Sequence, residues 1–268
     1  MDVIVGLSSS PITSLSPRKQ RCLPSAGAAP VPLGLKSHSD QARHWQTSIP
    51  QSRNAKGWGG KVADILASGN SNQDMSMNLS LAGTNLWQAG NTVDEFTITP
   101  QGSVGINMLN STDAFSMLVG EGVSNIMDQQ YADILKQTYA NKVNASQNQH
   151  NVFTSALSDL NPLSTEFANN QFSKQMKMVA NSIAVSGSLG MERQTYYLKL
   201  GGFDTHASQL PEHSELLGDV ADSMLAFYRD IQAHGRDNDV VLMTWSEFGR
   251  RVTENGSGGT DHGSAGPM

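Results

Sequence analysis

The sequence predicts an α/β fold with a mostly parallel sheet, and a strand–helix–strand unit near the carboxyl end of the chain carries that prediction. Residues 195–200 are rich in aromatic and β-branched side chains, which favour a strand. Residues 208–234 carry an apolar stripe at helical spacing, and Gly235 follows where such a helix would end. Residues 240–243 are an unbroken apolar run, typical of a parallel strand buried on both faces. The three segments together predict a βαβ unit.

The elements before this unit are predicted from changes in the hydrophobic period. Residues 1–30 are dominated by Ser, Pro and Ala without a period, so we expect a disordered or atypical leader before a domain over residues 31–268. A short helical pattern begins at Trp58 and ends at Gly69. Residues 75–106 alternate between apolar and polar side chains, which predicts short strands.

Two helical regions separate these strands from the βαβ unit. Residues 111–157 show apolar side chains near helical spacing among many Asn and Gln. Residues 165–185 carry a continuous stripe at i, i+4, i+7 and i+11, from Phe172 to Ile183. We expect the methionines of this stripe to pack in the core, since Met fills irregular gaps.

Composition and charge exclude several classes of function. The net charge of -6 over 268 residues argues against a protein that binds nucleic-acid backbones. No apolar run approaches the roughly 20 residues of a membrane span, and the apolar run of the first residues is shorter than we expect for a signal peptide. The only cysteine is Cys22, so the chain forms no internal disulfide.

Six chemically reactive side chains follow or lie near the strands of the βαβ unit. In open α/β sheets, side chains beyond the carboxyl ends of the strands converge on a crevice. If the two strands of the unit are neighbours, their loops face one such crevice. The six residues are Asp204, His206, Glu247, Arg250, Asp261 and His262.

The two Asp–His pairs indicate a metal site. Asp204 and His206, separated by one residue, share a face in extended geometry, and a carboxylate with an imidazole suits a divalent metal such as zinc. The alternative is an Asp that caps the next helix and a His that binds a loop carbonyl. Asp261 and His262 form a second pair in a Gly-rich loop, which gives enough ligands for one or two ions.

Glu247 and Arg250 have two interpretations as well. Glu247 stands at the end of the second strand and could act as a ligand or a general base. Arg250 could hold an anionic group of the substrate by a forked contact. The alternative is an ordinary surface ion pair, which contributes little to stability.

Three further polar residues lie outside these loops. His38 and Asp40 are distant in sequence, and a solvated loop is the favoured interpretation over a place in the same crevice. We expect His213, on the predicted long helix, to be exposed to solvent.

Three motifs resemble the bacterial family called domain of unknown function 1501 (DUF1501). They are residues 201–206 (Gly-Gly-Phe-Asp-Thr-His), 246–250 (Ser-Glu-Phe-Gly-Arg) and 258–263 (Gly-Gly-Thr-Asp-His-Gly), in this order. The stretch from 37 to 60 resembles the amino-terminal half of that family, so the resemblance runs from about residue 31 to the end.

The resemblance implies a fold and an activity. The family is grouped with the alkaline phosphatase and sulfatase superfamily, which implies an α/β/α sandwich and a metal-dependent site that hydrolyses small anionic phosphate or sulfate esters. Asp204 and His206 would then be metal ligands, and Asp261 and His262 the late pair. Glu247 would stand where relatives carry a ligand pair.

The resemblance also implies an incomplete domain. Family members usually begin with an export signal and a strand leading to a Gly-rich loop that supplies an early ligand, which residues 1–30 do not match. The chain stops at Met268, where relatives continue. We therefore expect a hydrolase that truncation could leave inactive. The alternative is a non-catalytic binding or cell-surface module, in which the two Asp–His pairs lie too far apart to share an ion.

Overall fold

The structure, a computed structural model, describes residues 1–8, 37–161 and 165–263 of the chain. The strands are β1 (Asp2–Ser8), β2 (Asn78–Ser80), β3 (Phe96–Thr99), β4 (Gly102–Ser103), β5 (Arg193–Lys199) and β6 (Val240–Trp245). The α-helices are α1 (His38–Thr47), α2 (Trp58–Leu66), α3 (Ala114–Met127), α4 (Ile134–Ser158), α5 (Gln171–Ala184) and α6 (Gln209–Ala233). The predicted α/β class is confirmed.

The strands form one mixed six-stranded sheet in the order β4-β3-β2-β5-β1-β6. β2 pairs in parallel with β3 and β5, whereas β1 pairs antiparallel with both β5 and β6. β4 pairs antiparallel with β3. It follows that β2, β3, β5 and β6 run in one direction, so the carboxyl ends of β5 and β6 lie at the same edge of the sheet.

Strand β1 is the main difference from the sequence prediction. It lies between β5 and β6, so the two strands of the predicted βαβ unit are parallel but are not hydrogen-bonded neighbours. Residues 2–8, assigned to a disordered leader, form a central strand because their alternate valines at 3 and 5 are fully buried. The rest of the expected leader, residues 9–30, lies outside the described residues.

Helices cover the sheet on both faces. Helix α5 buries the predicted stripe, with Phe172 and Ile183 each 1% exposed, so the prediction of a core helix is confirmed. Val220, Phe227 and Ile231 of α6 join the same cluster as Val3 and Val5. On the other face, Ile4 packs in a second, aromatic cluster. Within the described residues, no helix is long and apolar enough to cross a membrane.

The second cluster contains all four tryptophans of the chain. Trp45 of α1 stacks on Trp245 of β6, with ring centroids 3.8 Å apart and planes 7° from parallel. Trp58 contacts Trp45 at 5.7 Å and Trp87 at 5.1 Å. Stacked and edge-to-face aromatic rings add stability beyond the area they bury. The cluster therefore fixes α1 against the end of β6.

Helix α2 holds the loop before β3 through one carboxylate. Asp64 accepts hydrogen bonds from the backbone N–H groups of Asn91, Thr92 and Val93 at 2.7, 2.9 and 3.0 Å. Burial raises the pKa of Asp64, but the hydrogen bonds from these three N–H groups and from the Thr92 hydroxyl together outweigh it and lower the pKa well below its ordinary value. The ionised carboxylate thus takes the place of backbone carbonyl groups as the hydrogen-bond acceptor for the loop.

The position of β1 can be tested by placing a charge in it. We expect Val5→Asp to lower the free energy of unfolding by about 3 kcal/mol or more, because an unpaired carboxylate would be buried. Gly6→Ala is the matched control, since a Cβ at Gly6 meets no atom within 4 Å. Urea unfolding measures both variants, and equal stability of the two would contradict a central β1.

The Asp64 clamp predicts a pH dependence. Because its pKa is lower in the folded than in the unfolded state, its contribution is complete above about pH 4 and is lost as the pH falls below that. Asp64→Asn should cost about 1 kcal/mol at pH 7, allowing for solvent screening, and should then lose less stability than the parent on acidification. Thermal unfolding at pH 7 and pH 3 measures this, with the exposed Asp74→Asn as control.

Candidate metal centre

Four segments meet beyond the carboxyl ends of β5 and β6. The loop after β5 carries Asp204, the loop after β6 carries Glu247, and the Gly-rich loop carries His262. The fourth segment is the first residue of α1, His38. A cavity of about 410 Å³ adjoins them, lined partly by the backbone of residues 201–203.

The carboxylate of Asp204 is at the centre of the cluster. Its Oδ1 lies 3.0 Å from Nε2 of His262 and 3.1 Å from Nε2 of His206. Its Oδ2 lies 3.1 Å from Nε2 of His38. The Nε2 atoms of His206 and His262 are 3.2 Å apart. Three imidazoles from three segments therefore surround one carboxylate, and the two predicted Asp–His pairs lie together.

Two further carboxylates fix how the imidazoles are protonated. Nδ1 of His38 lies 2.5 Å from Oε1 of Glu247, and Nδ1 of His206 lies 3.3 Å from Oδ1 of Asp261. An ionised carboxylate can only accept a hydrogen bond, so each Nδ1 carries the proton and donates it. Nε2 of each ring lies 3.1 Å from an oxygen of the ionised Asp204, which also can only accept. Both nitrogens of each ring therefore face a carboxylate, and Nε2 is the nitrogen that could exchange its proton for a metal ion.

The carboxylates of the centre are ionised at neutral pH. Burial raises the pKa of Asp204, but hydrogen bonds from Arg250 and His262 outweigh it and lower the pKa to about 2. Burial likewise raises the pKa of Glu247, and the hydrogen bond from His38 brings it below the ordinary value. The pKa of Asp261 is lowered by hydrogen bonds from Asn255 and His206.

Arg250 ties three loops together. Its Nη1 donates to the carboxylate of Asp204, and its Nη2 donates to the carbonyl oxygens of Thr205, at 3.1 Å, and Thr260. Its Nε donates to Oγ1 of Thr260 at 3.3 Å. All three nitrogens of the guanidinium thus donate to groups of the protein itself. The backbones of Arg250 and His262 also form an isolated antiparallel bridge.

The Gly-rich loop can approach the β5 loop because residue 259 is a glycine. A Cβ at Gly259 would lie 2.2 Å from the carbonyl carbon of His206, so only glycine fits there. Asn255 donates from Nδ2 to the carbonyl oxygen of His206 at 3.0 Å, and the N–H of Thr260 donates to Thr205 at 3.2 Å. These contacts place His262 beside Asp204.

His38 is the site residue that sequence reasoning missed. The structure places it in the cluster, and its ring also lies 4.7 Å from the ring of Phe248. The favoured interpretation, a solvated loop, is wrong because Ser37 caps α1 and accepts from the N–H of Asp40 at 3.4 Å. That Ser-x-x-Asp pattern is a helix start and was the available signal. Asp40 itself pairs with Arg43 at 3.3 Å.

His213 also differs from expectation. It is half-buried, and its Nε2 lies 2.9 Å from Oγ1 of Thr205 and 3.2 Å from the carbonyl oxygen of Phe203. Thr205 is only 3% exposed. The first turns of α6 therefore support the loop that carries Asp204 and His206. This role depends on how α6 packs against that loop.

The donor set fits a divalent metal. One donor atom each from His38, Asp204 and His262 can be chosen so that all lie within 4.8 Å of one another. Zinc bonds of about 2.0–2.2 Å in a tetrahedral arrangement place ligand atoms roughly 3.3–3.5 Å apart, close to the separations of 3.0–3.2 Å around Asp204. His206 adjoins this set, whereas Asp261 and Glu247 contact it only through imidazoles.

Comparison with known proteins identifies the family. Residues 122–268 match the family model described as Protein of unknown function (DUF1501). No curated protein and no solved structure matches the chain. The match covers more than half of the chain and every loop of the centre except the segment of His38. The chain therefore belongs to the DUF1501 family of proteins of unknown function.

Proposed function

We propose that this centre binds a divalent metal ion, with zinc as the expected ion, and that the protein hydrolyses phosphate or sulfate esters in the adjoining cavity. The observation that carries the proposal is the orientation of two imidazoles. His38 and His206 each donate Nδ1–H to a carboxylate and direct Nε2, the nitrogen that would bind a metal, toward the ionised Asp204.

This arrangement favours a cation at the meeting point. A cation that displaces the Nε2 protons would be coordinated by the imidazole nitrogens and the carboxylate together, and its binding would release those protons. Carboxylate–imidazole–metal relays of this kind fix the tautomer and raise the basicity of the ligand nitrogen. A bound divalent ion would supply Lewis-acid chemistry to an ester oxygen. Three protein ligands, His38, Asp204 and His262, would leave a coordination position for substrate.

The residues around the ligands have positioning roles in this proposal. Glu247 orients His38, Asp261 orients His206, and Arg250 holds Asp204 against the other two loops. Glu247 and Arg250 therefore contact the ligands and do not themselves bind the metal. They would contribute to catalysis through the residues that they orient and not through direct contact with the substrate.

The cavity beside the centre suits a small ester. Its volume of about 410 Å³ is at the lower end of the range for small-molecule sites. The exposed backbone of Gly201 and Gly202 forms part of its wall, and Lys199 lies on its lining as a cation suited to an anionic group. The alkaline-phosphatase-like arrangement is part of the same proposal. Two observations support it. Four strands run in the same direction, and the carboxylates and imidazoles of the centre lie beyond the carboxyl ends of two of them.

A metal-binding module without hydrolysis is the second candidate. No Ser or Thr nucleophile is identified by the sequence, which favours a protein that keeps the centre and lacks the chemistry. The wide separation between Asp–His pairs that this alternative predicted is not found, since the imidazoles of His206 and His262 are 3.2 Å apart. Turnover, measured separately from metal content, distinguishes the two.

Metal affinity tests the centre itself. We expect the purified protein to retain zinc, and His38→Ala and Asp204→Ala to weaken zinc binding by at least about 100-fold, because each removes a ligand. Glu247→Gln should weaken it by about 10–100-fold, since it removes only the group that orients His38. Elemental analysis and competition with a chromophoric chelator measure these values.

The control for metal affinity is His234→Ala, at the end of α6 and outside the centre. It should leave zinc binding unchanged. If the parent protein binds no divalent ion, or if His38→Ala and His234→Ala bind zinc equally, the proposed centre is wrong. Circular dichroism shows whether each variant is folded.

Turnover tests the hydrolase. We expect the zinc-loaded protein to hydrolyse an aryl phosphate or an aryl sulfate, and a chelator to abolish that activity reversibly. Arg250→Lys should lower kcat by about 10-fold or more, because a point charge cannot hold Asp204 and two carbonyl oxygens at once. A protein that binds zinc as predicted but turns over neither ester would support the binding module.

A further inference from the structure

Helix α3 carries an apolar stripe that faces solvent. Phe115, Leu118 and Ile126 are 74%, 67% and 59% exposed. With Gly122 they occupy positions i, i+3, i+7 and i+11, which lie on one face of a helix. The only charged residue of α3 is Glu121, which lies off this stripe. An exposed apolar patch of this kind marks an interaction surface.

The opposite side of α3 attaches it to the rest of the chain. A Cβ at Gly120 would lie 2.4 Å from the carbonyl oxygen of Met108, in the turn Asn107–Asn110. Gly120 is buried, and the stripe is rotated about half a turn away from it. The helix is therefore held by one face while the stripe points outward.

A hollow lies at one end of the stripe. Ile126, Tyr131, Leu135 and Tyr139 line an apolar depression of about 520 Å³ where α3 ends and α4 begins. Leu135 and Tyr139 are 77% and 70% exposed. One continuous surface thus has a protruding aromatic ring at the amino end of α3 and an apolar hollow at its carboxyl end.

We propose that α3 pairs antiparallel with α3 of a second copy of this chain, with the two-fold axis at Gly122. Phe115 lies about 10 Å before Gly122 along the helix and Ile126 about 6 Å after it, so antiparallel pairing about Gly122 places each Phe115 just beyond Ile126 of the other copy, at the hollow. A Cβ at Gly122 meets no atom within 4 Å, so the two helix backbones can approach closely there. The same patch serves both copies, as a two-fold interface requires.

Area and charge favour a second copy as the occupant. An aromatic side chain buries about 150–250 Å², and Phe115 and Tyr139 are mostly exposed. The aliphatic residues of the stripe and hollow extend the patch toward the ~800 Å² that each partner buries in a stable complex. Asp113 lies two residues before Phe115, and Lys136 lines the hollow, so pairing brings this one pair of opposite charges toward each other. This pairing does not rest on the proposed hydrolase.

Sedimentation velocity over a range of concentrations tests the pairing. We expect the parent to be a dimer at micromolar concentration, and Leu118→Asp to raise the dissociation constant by at least about 100-fold, because the charge enters the interface twice. The matched control is Met117→Asp, at a residue that is 55% exposed on the same helix but off the stripe. It should change the constant by less than about 3-fold.

Cysteine cross-linking tests the axis. In a Cys22→Ala background, Gly122→Cys should oxidise to a disulfide-linked dimer, since a disulfide needs Cα atoms within about 4.4–6.8 Å. Glu121→Cys, off the stripe, should not. If the parent is still monomeric at a concentration 100-fold above the micromolar range, the proposal is wrong, and the stripe would bind a different partner. A dimer that Leu118→Asp and Met117→Asp leave equally intact overturns it as well.

Discussion

The contact between Trp45 and Trp245 is the constraint on which the centre depends. The two rings are stacked at 3.8 Å and almost parallel, and Trp245 is 2% exposed. Trp45 lies two helical turns after His38, and Trp245 lies two residues before Glu247. The stack therefore sets the distance between the start of α1 and the end of β6. It brings together an imidazole and a carboxylate that are 209 positions apart in the chain.

A rigid frame is needed because the centre brings three negative charges close together. Asp204, Glu247 and Asp261 are all ionised, and Nε2 of His38 and Nε2 of His206 face Asp204. Arg250 offsets part of this charge but also reaches two backbone carbonyl oxygens, so its position is fixed by the loops. The aromatic cluster and the loop hydrogen bonds thus hold these carboxylates and imidazoles in place. The proposed metal binding depends on this preorganisation.

The sequence predicted the parts of the fold and site that depend on local signals. The strand and helix periods predicted β5, α5 and α6. Asp204 and Glu247 were predicted to lie at one edge of the sheet because each follows a strand, β5 or β6. Strand order depends on tertiary packing, so the insertion of β1 between β5 and β6 had no local signal beyond a short apolar run. His38 reaches the centre because a long-range contact, the tryptophan stack, positions the start of α1, and its own neighbourhood in sequence resembles a solvated helix start.

The centre and the α3 stripe lie toward different ends of the sheet. The centre is built beyond β5 and β6, whereas α4, the partner of α3, packs on β4 at the other end of the strand order. Five strand spacings of about 4.8 Å separate β4 from β6, or roughly 24 Å. Pairing through α3 would therefore leave the cavity at the centre open in both copies. Because β4 has only two residues, strand-to-strand pairing at that edge would gain few hydrogen bonds, which leaves the helix stripe as the larger surface for association.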